Sequence, residues 1–166
     1  MKCVSWLCVV AGLAAAAPLA AQMPKYGVTV KADSKTEFGK FKTYTWEHGW
    51  QTYDKRVHQG ILTAVDRELA AVGLTKKESG PADLLVTYAS LRRTDVDLDA
   101  KTPAADGTRP QYDVGTLIVL LLEPGSRKEV FRGRVDTPIV VDADKVIAIV
   151  DSTVNEMFAK YPTKKK

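Results

Sequence analysis

The chain has 166 residues, of which 45% are hydrophobic and 27% charged, and it carries a formal net charge of +4. This composition is ordinary for one globular domain. The charge excess is small, and the sequence has no arginine-rich face and no interleaving of aromatic with basic residues. These features argue against nucleic acid as a partner.

The first 21 residues have the pattern of a secretory signal peptide. Lys2 supplies a positive charge, residues 4–13 are mostly apolar, and the small pair Ala20-Ala21 precedes the expected cleavage site. The apolar part is shorter than a membrane span, so we expect no stable membrane anchor after cleavage near Ala21. These features predict a mature domain of residues 22–166 that is periplasmic, or else secreted.

Both cysteines, Cys3 and Cys8, lie within this leader. The mature domain is therefore expected to form no disulfide, and a chain of this length can bury enough apolar surface without one. The three residues before Cys8 do not suit lipid attachment, which argues against a lipid anchor. Residues 164–166 form a basic tail, and a charge run this short is usually solvated.

In the first half of the mature chain, two strands and a helix are predicted. The strands are expected at residues 26–32 and 41–46, because side chains alternate in the first and are aromatic or β-branched in the second. Apolar residues at helical spacing predict a helix from about residue 53 to residue 72. Thr52 or Asp54 can cap the start of this helix.

In the second half, a further strand is predicted at residues 83–91, with an extension towards residue 99. Residues 100–112 contain two prolines and a glycine and are predicted to form a mobile surface loop. A second helix is expected to begin at the capping residue Asp142 and to stop at Pro162.

The strongest pattern in the chain is a β-hairpin. Residues 117–122 are consecutively apolar, Pro124-Gly125 is typical of a turn, and residues 130–135 alternate between apolar and charged. The run 117–122 is apolar on both faces, although two helices can cover only one. Any apolar face that the fold leaves open would be an interaction surface, with Arg132 and Arg134 at its rim.

The order of the predicted elements is β-β-α-β-β-β-α. Two amphipathic helices most simply cover one face of a single sheet, so we predict an α+β fold, a two-layer sandwich. The sheet is expected to be mixed or mostly antiparallel and to contain about five strands. No internal repeat and no long linker divides the chain, which predicts a single domain after the leader.

Six segments occur in an order that resembles one family of exported bacterial proteins. They are Phe38–Trp46, Asp66–Leu74, Ala82–Tyr88, Gly115–Leu122, Val130–Gly133 and Lys160–Pro162. The family is catalogued as domain of unknown function 4136, and many of its members are lipoproteins. The resemblance implies an envelope location and an α/β fold, and it supplies no activity, cofactor or catalytic residue. Two departures are Phe131, where a Trp is usual, and the missing lipid-attachment cysteine.

Residues 95–106 carry carboxylates at alternate positions, a pattern typical of a calcium loop. Ala100 stands where the sharp turn needs glycine, and Asp106 stands where glutamate is usual, so we interpret the stretch as a strand end with solvated acids. Asp54 and His58 are four residues apart on a helix, but no activated serine completes a triad. Two histidines without a mature cysteine are too few ligands for zinc.

Two groups of side chains are candidates for a binding surface. The aromatic group is Tyr44, Trp46 and Tyr88, and the basic group is Arg132 and Arg134, with Arg92 and Arg93 if their strands are neighbours. The aromatic residues would line a ligand groove, and the competing interpretation is burial in the core. The arginines would bind an anion, and the competing interpretation is that they keep the sheet soluble.

The sequence contains no phosphate-binding glycine loop, dinucleotide fingerprint or catalytic constellation. We therefore expect a protein that is not an enzyme and that uses no cofactor or metal. The favoured function is a protein-interaction module that binds another envelope protein. The alternative is a periplasmic carrier that holds a small apolar ligand between sheet and helices. The sequence sets no oligomeric state.

Overall fold

The structure of the protein is a computed structural model that describes residues 27–98, 107–139 and 142–163. Within these residues the strands are β1 (Val28–Ala32), β2 (Thr43–Trp46), β3 (Thr75–Lys76), β4 (Leu84–Val96), β5 (Gln111–Leu122) and β6 (Glu129–Pro138). The helices are α1 (Lys55–Ala71) and α2 (Ala143–Ala159), with a short 3₁₀-helix at Phe38–Lys40. The predicted signal peptide and the basic tail lie outside the described residues.

The strands form one mixed sheet in the order β1-β6-β5-β4-β2-β3. β2 runs parallel to both β3 and β4, and the other neighbouring strands are antiparallel. The predicted α+β fold with a single mixed sheet and two helices is confirmed, but the sheet has six strands rather than five. The prediction missed β3 because two residues are too few to show an alternating pattern.

β5 begins earlier than its apolar run suggested. It starts at Gln111, inside the predicted loop 100–112, and residues 111–116 pair with residues 91–96 of β4. This half of the strand is more polar, so apolar periodicity could not reveal it. Residues 99–106, which include most of the predicted loop, lie outside the described residues.

Each helix begins at an aspartate that caps it: Asp142 was predicted for α2, and of the two candidates for α1, Thr52 and Asp54, the cap is Asp54. The Asp54 carboxylate accepts hydrogen bonds from the backbone N–H groups of Arg56 and Val57, at 2.8 and 3.2 Å. Asp142 caps α2 in the same way. Just beyond α1, Gly73 has a φ of +89°, in the left-handed region that favours glycine. No helix among the described residues is both long enough and apolar enough to cross a membrane.

Both helices pack on one face of the sheet, which we call the inner face, and the opposite face is the outer face. On the inner face, the cross-strand row Val86, Leu121 and Phe131 is fully buried. One row further along, Gly133 lies under Met157 of α2, and a Cβ at position 133 would lie 2.6 Å from the Met157 sulfur. The core is therefore the layer between the inner face and the helices.

The apolar run of β5 is divided between the two faces. The buried inner set is Leu117, Val119 and Leu121. On the outer face, Leu122 is buried, but Ile118 and Leu120 are only half-buried. The outer face is thus neither sealed nor bare, and two apolar side chains of the central strand stay within reach of a partner.

Candidate functional site

The three predicted aromatic residues lie on the inner face, where Tyr44 and Tyr88 are each 2% exposed. The Tyr44 hydroxyl and the Trp46 indole N–H both donate to one carboxylate oxygen of Asp66 on α1, each at 2.7 Å. Burial and the hydrogen bond to Asp66 raise the pKa of Tyr44 well above its ordinary value. The polar ends of these rings therefore join β2 to α1.

Tyr88 makes a second polar contact with the same helix. Its hydroxyl oxygen lies 2.6 Å from Nδ1 of His58, and the Trp46 ring packs edge-on against the Tyr88 ring. Burial raises the pKa of Tyr88. Asp54 caps α1 with its carboxylate, so the predicted proximity of Asp54 and His58 does not become a catalytic pair.

Arg132 and Arg134 lie on the outer face, on the other side of the sheet from the aromatic group. The five predicted surface residues therefore do not form one site. The Arg132 Nε donates to Glu129 at 3.0 Å, and the Arg134 Nε donates to Asp136 at 2.9 Å. Each guanidinium already has a carboxylate partner, which argues against the anion site that the sequence suggested.

Of the second predicted arginine pair, Arg93 reaches the outer face, and Arg92 pairs with Asp113. Arg93 donates to Asp136 at 2.6 Å, so it shares this carboxylate with Arg134. Burial opposes the ionisation of Asp136, but hydrogen bonds from Arg134, Thr116 and Arg93 outweigh it and hold the pKa of Asp136 well below its usual range. The result is a charge-paired network that braces β4, β5 and β6.

The acidic stretch 95–106 is described in part. The Asp95 carboxylate accepts hydrogen bonds from the Arg93 guanidinium at 2.9 and 3.1 Å. Ala100 and Asp106 lie outside the described residues. Among the residues that are described, no group of three or more His, Cys, Asp or Glu is placed to hold a metal ion.

An apolar strip crosses the outer face beside the charge-paired network. Ile118 and Leu120 form its centre, and Leu91 at its edge is 38% exposed. Trp50 is 72% exposed and pairs with Ala89 at the edge of β4, where side-chain alternation directs its ring to the outer face. We call Trp50, Leu91, Ile118 and Leu120 the outer strip. Sequence reasoning missed Trp50, although an aromatic residue in a turn after a strand is a usable signal.

A cleft lies on the other side of the sheet, between the inner face and the N-terminal halves of the helices. Its volume is about 530 Å³. Its apolar walls include Val57, Ile61, Leu117, Val135, Val146 and Val150. The mouth carries Tyr53, which is fully exposed, and Ile139, which is 38% exposed. Of the residues predicted for a binding surface, Arg92 lines this cleft, and the aromatic group, Arg93, Arg132 and Arg134 do not.

Comparison with known families gives one match. A family model described as Domain of unknown function (DUF4136) matches residues 28–163. No curated protein matches the chain.

Two solved structures share the fold. A PDZ domain protein from Parabacteroides distasonis has a TM-score of 0.56 at 16% identity, over 84% of this chain and 36% of its own chain. The chain thus spans about a third of the length of that protein. The PelC dodecamer from Paraburkholderia phytofirmans has a TM-score of 0.51 at 12% identity, over 84% of this chain and 99% of its own. Identities this low show similarity of fold alone.

Proposed function

The chain belongs to the family described as Domain of unknown function (DUF4136), and from this premise we propose that it is an exported, non-catalytic protein that binds another protein of the cell envelope. Export is supported by the signal-peptide pattern of residues 1–21, and the envelope location by the resemblance to exported proteins of this family. The outer strip is the proposed binding surface.

A non-catalytic role is supported by how the reactive side chains are used. His58 contacts the buried Tyr88 hydroxyl, and Asp54 caps a helix. Asp66 accepts hydrogen bonds from the buried Tyr44 and the half-buried Trp46. These contacts position secondary structure, and none of them places a nucleophile beside a base.

The exposure of Trp50 is the observation that carries the proposal. A tryptophan that is 72% exposed leaves a large apolar surface in water, and tryptophan is enriched among the residues that dominate protein interfaces. Leu91 and the half-buried Ile118 and Leu120 extend this surface along the sheet. A flat apolar strip suits a protein partner better than a small molecule, because small ligands bind in concave sites.

The rim of the outer strip is polar and ordered. Ile118 lies directly opposite Arg134 across β5 and β6, and Leu120 lies opposite Arg132. Their ion pairs with Asp136 and Glu129 hold the two guanidinium groups beside the apolar centre. An apolar centre with a polar rim is the usual anatomy of a protein interface.

Site-specific photo-crosslinking in cells that produce the full-length protein tests this function. A photoreactive amino acid at position 50 or 118 is expected to give the same discrete adduct with a second protein. The matched control is position 53, because Tyr53 is also exposed but lines the cleft on the inner side. Adducts from all three positions, no adduct from positions 50 and 118, or an adduct of two copies of this chain would each contradict the proposal.

The cleft is the specific feature that favours the alternative function, a carrier of a small apolar ligand. Its volume of about 530 Å³ is within the usual range of small-molecule sites. Because the cleft and the outer strip lie on opposite sides of the sheet, one protein can have both functions.

A further inference from the structure

The cleft exists because the inner face has small side chains at this end. Across three neighbouring strands these are Ser90 on β4, Gly115 on β5 and Thr137 on β6. A Cβ added at Gly115 would meet its nearest atom, on Ile139, at 3.4 Å, which is an ordinary contact. The space above Gly115 is therefore open enough to take a group larger than hydrogen.

Polar contacts link the two helices that form the walls of the cleft. Arg56 in the first turn of α1 forms an ion pair with Asp144 in the first turn of α2. Further along, Asn155 of α2 donates to the buried Glu68 of α1 at 3.0 Å. These contacts join the two helices at two levels.

The charged side chains that line the cleft are already paired. Among the described residues these are Asp54 and Arg92. The Asp54 carboxylate accepts two backbone hydrogen bonds at the start of α1. Arg92 forms an ion pair with Asp113, and hydrogen bonds from Arg92 and Thr94 hold the pKa of Asp113 below its usual range, so that the pair persists at neutral pH.

An ionised ligand would therefore have to compete with the helix N–H groups for Asp54 or with Asp113 for Arg92. Burial of an ionised group without a partner costs far more than burial of a neutral polar group. The neutral polar side chains of the lining remain for recognition, and they include Ser90 and Thr137 on the inner face of the sheet. Within the described part of the chain, neither the Ser90 nor the Thr137 hydroxyl has a hydrogen-bond partner, and both line the cleft.

We propose that the cleft binds an uncharged, mainly apolar molecule, whose polar group, where it has one, is a hydroxyl or carbonyl that meets Ser90 or Thr137. The apolar body would lie between the valine-rich walls of the two helices and Leu117 of β5. This inference deepens the carrier function and rests on it. It does not depend on the protein partner proposed for the outer strip.

Two fluorescent probes that differ mainly in charge test this inference. N-phenyl-1-naphthylamine is uncharged, and 8-anilinonaphthalene-1-sulfonate carries the same ring system with a sulfonate. Fluorescence titration of the purified protein is expected to give saturable binding of the uncharged probe at one site. Its dissociation constant is expected to be lower than that of the sulfonate by about tenfold or more.

A matched pair of glycine substitutions tests whether the uncharged probe binds in the cleft. Gly115→Leu fills the cleft and is expected to weaken binding of the uncharged probe by about tenfold or more. Gly39→Leu is the control, because nothing lies within 4 Å of a Cβ at Gly39 and this residue does not line the cleft. Circular dichroism checks that both variants fold, and Thr137→Leu replaces Gly115→Leu if that variant does not.

The possible results distinguish failure of the inferred ligand class from failure of the carrier function. No saturable binding of either probe would overturn the carrier function together with the inference. Sulfonate binding as tight as that of the uncharged probe would overturn the inference alone. Equal binding by the cleft-filling variant and the Gly39→Leu control would place the probe outside the cleft and would also overturn the inference.

Discussion

Between the helices and the sheet, the end near the C-terminus of α2 is filled by aromatic rings, whereas the end near the helix N-termini holds the cleft. At the filled end, which we call the closed end, the Phe131 ring centre lies 5.3 Å from that of Phe158 and 5.4 Å from that of Tyr161. Phe38 packs edge-on against Tyr161 at 5.2 Å. At the open end, small residues stand on the corresponding face of the sheet.

The same strands and the same helices form both ends, so the backbone does not explain the difference. Side-chain volume does: β6 contributes Phe131 at the closed end and Thr137 at the open end. The closed end also buries a polar group. The Tyr161 hydroxyl is buried with no hydrogen-bond partner among the described residues, and burial raises its pKa to about 12. One continuous layer thus serves for stability at one end and leaves space for a ligand at the other.

Removal of a ring from the closed end is expected to have the largest effect. Phe131 is fully buried, and Phe131→Ala should lower the free energy of unfolding by about 3–5 kcal/mol, because the variant loses apolar burial and leaves a cavity. Urea denaturation of the purified protein measures this change. Trp50→Ala is the control, since that ring is mostly exposed. If both variants lost the same free energy of unfolding, the closed end would contribute no more to stability than the exposed surface.

Two glycines of the inner face allow the packing of the closed and open ends to be compared directly. In Gly133→Ala, the new methyl group would lie within 3.0 Å of three Met157 side-chain atoms, so overpacking should cost about 1–3 kcal/mol. Gly115→Ala should change stability by less than about 0.5 kcal/mol, because its nearest neighbour lies at an ordinary contact distance. Thermal and urea denaturation of both variants check this difference. Equal destabilisation would show that the open end is packed as tightly as the closed end.

The sequence predicted most of the fold, because local patterns determine most of it. A run of consecutive apolar residues revealed the apolar half of β5, helical periodicity revealed α1 and α2, and Asp142 marked the start of α2. The family resemblance is confirmed by the match over residues 28–163. The polar half of β5 escaped because Val114 and Thr116 are its only buried residues, which are too few to give an apolar pattern.

The candidate sites were less predictable, because they depend on which strands become neighbours. The parallel pairing of β2 with β4 places Tyr44 and Trp46 on the inner face, and the β5–β6 hairpin directs Arg132 and Arg134 to the outer face. No local pattern sets these relations. The cleft depends in addition on small residues from three strands coming together, which only the register reveals.

The smallest of the expected effects concerns how the sheet is held together at the open end, where inner packing is thin. There Asp136, whose side chain is 18% exposed, accepts hydrogen bonds from Arg93, Arg134 and Thr116 on the outer face. Asp136→Asn is expected to lower the free energy of unfolding at pH 7 by about 1 kcal/mol, the usual net contribution of a hydrogen bond. Hydrogen exchange should increase around Leu91, Thr116 and Asp136, and not around Phe131.

The stability that the Asp136 carboxylate contributes is expected to fall as the pH falls. The folded pKa of Asp136 lies well below its usual range, and the unfolded pKa is about 3.9. The carboxylate therefore contributes its full stability above the unfolded pKa and loses it as the pH falls towards the folded pKa. At pH 7, urea denaturation should show a lower free energy of unfolding for Asp136→Asn than for the parent protein, and this gap should narrow as the pH falls below about 4.

The control is Glu156→Gln, at an exposed ion pair with Lys160. Its free energy of unfolding should differ little from that of the parent protein at any pH. A gap for Asp136→Asn that stays constant as the pH falls would mean that the carboxylate charge does not brace the open end.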